Sequence, residues 1–427
     1  MVKEKLSANN PTLKSWVEVP ENSDFPIQNL PFGVFSTKTK SKRVGVAIGS
    51  QILDLANLYE LGYLGSLSFC EHCFNNEFLN RMMGHGKIEI RELRNRISEL
   101  LNISNDELFK DKKHLEIVLD LQSSATMHLP IKIGDYTDFY SSEQHAFNVG
   151  SMFRDPNNAL LPNWKHIPVA YHGRSSSIIP SGQDVIRPKG QQKQDESENP
   201  IFGASKLLDF ELEMGFLTFD GKPLGEQIST EEADEFIFGM CLFNDWSARD
   251  IQKWEYIPLG PFLAKNFASS MSCWIVTLDA LEPFRTSGPV QNPKVLPYLQ
   301  YRNDKHLNID LSVSIKIPNG EEKVVTESNY KHMYWNMNQQ LAHHSVNGCN
   351  INCGDLLASG TISGPQKGSF GSMLEISWRG TQPVSMPDGS ERKFINDGDT
   401  VIFRGAATNG NYKVGFGELV SKVLPAK

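Results

Sequence analysis

The chain has 427 residues, of which 39% are hydrophobic and 22% charged, with a formal net charge of −8 at pH 7. That balance supports a buried core divided over two or three domains. Lys and Arg form no stripe and no apolar run approaches the length of a membrane span, so a nucleic-acid surface and a membrane-spanning chain are both set aside.

Residues 1–11 are polar and lack an apolar stretch, so no secretory signal is expected and the chain reads as cytoplasmic. Residues 1–43 read as an irregular lead-in, with turns at Asn29-Leu30-Pro31 and Pro31-Phe32-Gly33. The apolar runs 44–48 and 51–55 flank Gly49-Ser50 and predict a β-hairpin. Cys70-Glu71-His72-Cys73 resembles half of a zinc site, but no second pair follows at zinc-ribbon spacing. The six scattered cysteines read instead as reduced and partly buried. Ile90, Leu93, Ile97, Leu100 and Leu101 recur at helical spacing, and Asn105 and Asp106 are placed to cap a following helix through Leu108 and Ile117. Residues 1–129 therefore read as a small mixed domain with a structural or docking role, and 130–427 as a larger second domain.

The stretch 134–145 crowds Asp135, Asp138, Tyr136, Tyr140, several hydroxyls and His145 into one segment. Buried polar groups need partners, so core segments avoid that density. His145 can exchange a proton near neutral pH. Asp138 is a hard oxygen ligand of the kind Ca²⁺ and Mg²⁺ prefer. Residues 187–200 read as a polar loop. Phe210, Leu212, Met214 and Phe216 then alternate with Glu211, Glu213 and Gly215, a period of two that puts both glutamates on one strand face. Ile309, Leu311, Val313, Ile315 and Ile317 predict a longer strand. Met333, Tyr334, Met337 and Leu341 form a helix-spaced core stripe that ends near Gly348. The segment 373–378 also alternates, which aims Glu375 away from Leu374, Ile376 and Trp378. The C-terminus reads as strands separated by turns at Asn409-Gly410-Asn411 and Gly415-Phe416-Gly417. Many strands and few helices argue for a β-rich (α+β) sandwich or roll.

No nucleophile elbow, phosphate loop or complete dinucleotide fingerprint is present. The acidic pattern carries more. Glu211 and Glu213, with Asp245 at the end of the apolar run 238–243 and Asp138 upstream, can surround one hard divalent cation. Arg249, Lys253, Lys265 and Arg154 can hold an anionic substrate or a developing oxyanion, and Tyr140, Tyr171 and Tyr256 can bond its oxygens. Each of these taken singly is as well explained by a surface charge or a satisfied core aromatic. His343 and His344 are adjacent and, on a helix, point in different directions, so they read as structural.

Together these segments resemble the fumarylacetoacetate hydrolase family. The likeness rests on 134–145, Phe153-Arg154-Asp155, Tyr171-His172-Gly173-Arg174, 209–213, 244–256, Gly260-Pro261-Phe262, 359–364 and 371–375, and runs nearly end to end. The resemblance implies an N-terminal SH3-like barrel, a C-terminal mixed β-sandwich roll, a homodimer, and hydrolysis of the C–C bond of 4-fumarylacetoacetate, the last step of tyrosine and phenylalanine catabolism. It implies calcium ligation by Asp138, Glu211, Glu213 and Asp245, and a magnesium site at Asp245, Lys265 and Ser269. It makes His145 the catalytic base, oriented by Glu375, with Arg249, Lys265 and Gln252 stabilising the developing negative charge. Substrate contacts fall at Tyr140, Arg154, Tyr171, Gln252, Tyr256 and Thr361. Ala268 and Ser269 stand where mammalian relatives carry Gly and Thr; serine keeps a hydroxyl. The rival activity in the same superfamily is an acylpyruvate-type hydrolase or decarboxylase.

Overall fold

The computed structural model describes residues 6–318 and 320–427, and three larger sheets organise it. Residues 1–5, where the polar lead-in starts, lie outside the described residues. The first sheet is antiparallel, with strands in the order Leu119–Leu121, Gln51–Asp54, Arg43–Ile48, Phe32–Ser36 and Thr126–His128. The predicted hairpin forms around Gly49, whose φ of 55° suits a tight two-residue turn. The lead-in is not irregular throughout. Phe32, Val34 and Phe35 are fully buried in a strand covered on both sides, which hides any alternation.

Helix Lys87–Leu101 buries the five residues whose spacing predicted it. The next helix starts later than expected, at Lys112–Val118, because Asp111 accepts from the N–H groups of Lys113 and His114. Asn105 instead accepts from Glu107 N–H, within the preceding turn.

An eight-stranded mixed sheet forms the centre, with the path Ala170–His172, Tyr136–Phe139, Leu356–Ala358, Leu212–Thr218, Ile237–Asp245, Ser269–Met271, Ile178–Pro180, and with Val276–Thr277 paired to Ile237–Asp245 off that path. A five-stranded sheet contains Asp310–Lys316, the predicted long strand, with Glu322–Asn329 on one side and Thr400–Thr408 and Lys413–Leu424 on the other. Phe210, Leu212, Met214 and Phe216 pack in one apolar cluster with Leu311, Val313, Ile315 and Phe403 from that second sheet. Leu217, Cys241, Phe243 and Leu356 join a different cluster with Phe32, Val34, Leu93 and Ile97 from the N-terminal part. The central sheet is thus covered on both faces, and every residue of Leu212–Thr218 is buried.

Three further expectations change. The polar loop contains strand Lys189–Gln192, paired with Ile201–Ala204; its outward residues are polar, so no apolar alternation marks it. Gly415-Phe416-Gly417 lies inside strand Lys413–Leu424, where the register with its neighbour shifts. The segment around Glu375 is a short helix, Met373–Ile376, and Trp378 is 36% exposed with φ 47°, so it does not pack as a strand residue would. Helix Met337–Ser345 buries Met337 and Leu341, while Met333 and Tyr334 are buried ahead of it. Among the described residues no helix is long and apolar enough to cross a membrane.

Gly360 joins the strand end at Ala358 to the candidate site. Its φ is 77°, and a Cβ there would meet the Phe139 carbonyl oxygen at 2.2 Å. Gly360→Ala is expected to cost at least about 1 kcal/mol of stability in chemical denaturation. A loss within experimental error would mean that the backbone at this crossing is free to move.

Candidate active site

Strand parity brings the carboxylates to one place. Asp138 shares parity with Tyr136, Asp245 with Cys241 and Phe243, and Glu211 and Glu213 with Leu217. Tyr136, Leu217, Cys241 and Phe243 belong to the apolar cluster on one face of the central sheet, so alternation sends the four carboxylates to that face. Pairing then sets them side by side: Ala358 lies beside Asp138 and beside Gly215, and Asp245 lies opposite Ser269. Oxygens of Asp138, Glu211, Glu213 and Asp245 come within 4.8 Å of one another, and all four residues are buried.

Two cations neutralise part of this charge. Arg249 Nη1 is 2.7 Å from Glu211 Oε1, and Lys265 donates to Glu211 Oε2 and, at 2.7 Å, to Asp245 Oδ2. Burial pushes the Glu211 carboxyl up, but Lys265 and Arg249 outweigh it and hold it well below the usual carboxylate range. Burial favours the neutral amine of Lys265, yet Asp245 and Glu211 reverse this and raise its pKa. Asp138 and Glu213 go the other way. Burial first, then the charges of their acidic neighbours, push both well above the ordinary value. Asp138 Oδ1 and Glu213 Oε1 are buried without a hydrogen-bond partner among the described residues. Orphaned acceptors amid excess negative charge fit a hard divalent cation such as Ca²⁺ or Mg²⁺, which takes carboxylate oxygens. Ser269 Oγ and Tyr171 Oη each donate to Asp245 at 2.8 Å.

The histidine sits beside this cluster. Ser142 caps helix Glu143–Phe153 by accepting from His145 N–H, which fixes the direction in which the imidazole leaves. His145 Nδ1 lies 2.7 Å from Glu375 Oε2. Asn148 Nδ2, Ser363 Oγ and Ser372 Oγ also donate to the Glu375 carboxylate, each at 2.9 Å. Burial pushes Glu375 up, but His145 and these donors outweigh it and lower its pKa. With Glu375 ionised, its Oε2 accepts a hydrogen bond from Nδ1–H of His145, and in that tautomer the Nε2 lone pair is free. Glu375 therefore leaves a short helix and not a strand, and it still meets His145.

Asp209 connects the two halves of the site. Its Oδ1 accepts from Met373 N–H at 2.7 Å, and its Oδ2 accepts from Leu374 N–H at 3.0 Å and from Arg249 Nε at 2.9 Å. It thus satisfies the open end of the helix that carries Glu375 while orienting Arg249. Sequence reading passed over Asp209, Asn148, Ser363 and Ser372. For Asp209, Ser363 and Ser372 the signal was the density of polar residues in the 209–213 and 359–375 segments; for Asn148 it was its place three residues after His145 on one helix. Arg249 Nη1 also lies 3.3 Å from Gln252 Oε1, and Arg249 Nη2 is buried with no partner among the described residues, a donor open to an anion.

The remaining candidates spread outward. Tyr140 meets the His145 ring edge-on with centroids 5.3 Å apart, and Thr361 is buried close by in sequence to Gly360. Arg154 and Tyr256 are exposed; Arg154 donates to the Ala159 carbonyl at 2.6 Å. Lys253 pairs with exposed Asp195, away from the acidic cluster. His344 bonds Thr137 Oγ1 at 2.9 Å and His343 bonds Tyr298 at 3.0 Å, so each has a separate structural partner.

Comparison with known proteins places these features in one family. Residues 135–424 match the family model described as fumarylacetoacetate (FAA) hydrolase C-terminal, and residues 28–130 match fumarylacetoacetase N-terminal. The chain is 53% identical to fumarylacetoacetase of Homo sapiens over 414 residues, covering 96% of this chain and 99% of that one. It is 47% identical to fumarylacetoacetase of Arabidopsis thaliana over 419 residues, covering 97% and 99%. Among solved structures, the fumarylacetoacetate hydrolase of Exiguobacterium antarcticum aligns with a TM-score of 0.53 at 16% identity, over 93% of this chain and 100% of that one, a likeness of fold.

The raised pKa values of Asp138 and Glu213 have a sign that can be measured. Without a cation the folded state holds these protons more tightly than the unfolded chain does. Their contribution to stability is therefore lost as pH rises from the ordinary carboxylate range of about 4 through the folded-state values. A divalent cation must displace the protons, so its binding strengthens with pH. The rise in melting temperature on adding Ca²⁺ to chelator-treated protein is expected to grow with pH and to vanish in Asp245→Ala. A rise that stays level with pH, or survives in Asp245→Ala, argues against this site.

Proposed function

The chain belongs to the fumarylacetoacetate hydrolase family, and on that premise we propose that it hydrolyses the C–C bond of 4-fumarylacetoacetate to fumarate and acetoacetate, the last step of tyrosine and phenylalanine breakdown. The observation that carries this reading is the buried His145–Glu375 pair beside a four-carboxylate cluster and an unpartnered Arg249 Nη2. It combines a base, a cation site and an anion donor, the three things that cleavage of a β-diketone requires.

Asp138, Glu211, Glu213 and Asp245 are the residues that would hold Ca²⁺, with Mg²⁺ assigned to the Asp245–Ser269 side. When bound, the cation supplies Lewis-acid polarisation of the diketone oxygens. Lys265 keeps its proton and so has no lone pair for a metal; it contributes as a charge beside Asp245 and Glu211. His145 takes a proton from water at Nε2, and Glu375 stabilises the imidazolium and holds its Nδ1–H. The hydroxide adds to the carbonyl next to the fumaroyl double bond. The bond from that carbon to the methylene between the carbonyls then breaks, and its electron pair leaves as the enolate of acetoacetate. His145 returns its proton to the enolate carbon. Arg249, with Gln252 bracing it, and Lys265 stabilise the negative charge during these steps. Substrate contacts are assigned to Tyr140, Tyr171, Gln252 and Thr361 near the cluster, and to the exposed Arg154 and Tyr256 further out. In this reading residues 1–129 form an SH3-like barrel and 130–427 a β-sandwich roll, and the protein acts in the cytoplasm as a homodimer.

Direct assay separates this substrate from the acylpyruvates: turnover of 4-fumarylacetoacetate is expected to dominate, and a preference for acylpyruvates would replace the assignment. His145→Ala is expected to lower kcat on the order of 10²–10⁴-fold. Glu375→Gln keeps the shape but not the charge, and neutralising the corresponding carboxylate of a serine-protease triad costs about 10⁴-fold, so a loss of roughly 10²–10⁴-fold is expected here. Cation content by elemental analysis should be unchanged in both variants. Normal kcat in either removes that residue from the proton relay.

A further inference from the structure

The Cys70-Glu71-His72-Cys73 segment lies in the N-terminal part and has no place in the hydrolytic site. Cys70 is the N-cap of the short helix Glu71–Phe74, and Cys73 N–H bonds the Cys70 carbonyl at 2.9 Å. That turn brings the two sulfurs to 3.1 Å, and Cys73 Sγ is also 3.3 Å from His85 Nε2. Both thiols are free. Cys70 is half-buried and reachable, whereas Cys73 is fully buried. The His85 ring is held in place by packing on Phe69, with centroids 4.6 Å apart.

A metal is the other use for two thiols and an imidazole. It requires three donors within reach of one ion, and among the described residues only the four-carboxylate cluster meets that condition. Cys73 stands between Cys70 and His85, so the three groups lie in sequence as sulfur, sulfur and nitrogen and do not surround a point. That order suits proton removal from Cys73 followed by sulfur–sulfur bond formation. The two thiols are also poised unequally. Cys73 and then Arg81 favour the thiolate of Cys70, while burial disfavours that of Cys73.

We propose that Cys70, Cys73 and His85 form a thiol–disulfide exchange site whose co-reactant is a low-molecular-weight disulfide. The Cys70 thiolate attacks one sulfur of that disulfide. Its S–S bond breaks, one thiolate leaves and takes a proton from water, and Cys70 holds the other half as a mixed disulfide. His85 Nε2 removes the Cys73 proton, and the Cys73 thiolate attacks the Cys70 sulfur. The second thiolate leaves with the proton from His85. Two protein thiols are oxidised to one bridge, and the small disulfide is reduced to two thiols. Closing from 3.1 Å to a disulfide length of about 2.05 Å needs a side-chain movement of roughly 1 Å, within a turn whose ends are already bonded.

The test uses the full-length protein incubated with oxidised glutathione, trapped with an alkylating agent and mapped by peptide mass spectrometry. The expected product is a Cys70–Cys73 bridge formed ahead of any change at half-buried Cys349, with no glutathione retained. Cys73→Ser should stop at a glutathione adduct on Cys70. His85→Gln should accumulate the same adduct before the bridge closes, with closure slowed on the order of 10²-fold. The proposal is overturned if wild-type protein keeps glutathione on Cys70 with Cys73 still open to alkylation. It is equally overturned if Cys349 is oxidised first. Both readings come from wild-type protein, so neither depends on the variants folding.

Discussion

An uneven charge balance in a dry place governs this structure. Asp138, Glu211, Glu213 and Asp245 on the central sheet and Asp209 beside it are all buried, against the single charges of Arg249 and Lys265. Full ionisation of such a group is prohibitive without further positive charge, because burial strips the solvent that would otherwise screen it. The protein divides the problem. Glu211 is paired twice and ionised, Asp209 is tied to Arg249 and two backbone N–H groups, and Asp138 and Glu213 keep an oxygen each without a partner among the described residues. The surplus is what gives the site its appetite for a divalent cation.

The same economy of partners explains how His145 is held. Glu375 accepts from His145, Asn148, Ser363 and Ser372, so the carboxylate is saturated and has little freedom to rotate. Its helix has only four residues, too few to stand alone, and depends on Asp209 and Ser372 for its first N–H groups. Arg249 reads the same Asp209 from the other side. His145 and Arg249 are therefore positioned through one buried carboxyl, and their separation is a property of that residue as much as of the sheet.

Much of this was legible where a local period carries the information. The alternation through Phe210–Phe216 told which side the glutamates leave, and the heptad-like spacing from Ile90 to Leu101 marked its helix. The four-carboxylate cluster could be named because Glu211 and Glu213 share one strand face, Asp245 follows the apolar run 238–243, and Asp138 lies in the polar-crowded stretch 134–145. Glu375 shows the limit. Residues 373–378 alternate as a strand would, and a helix of one turn is too short to show a competing period; what decides is Asp209, 164 residues away in sequence. The strand Phe32–Ser36 was missed for the opposite reason, since burial on both faces removes the alternation that reveals a strand. The polar strand Lys189–Gln192 shows neither signal, its pairing being made by backbone groups that every residue has.

The N-terminal part covers the very face of the central sheet from which the carboxylates project, through Phe32, Val34, Leu93 and Ile97 against Leu217, Cys241, Phe243 and Leu356. That packing lies between this face and bulk water. Water admitted through a loosened N-terminal core would raise the local dielectric, relax Asp138 and Glu213 toward ordinary acids, and so change how a cation is held without touching a ligand. A substitution far from the histidine can in this way present itself as a metal defect, and restoring the ion concentration in the assay would mask what is at root a packing fault.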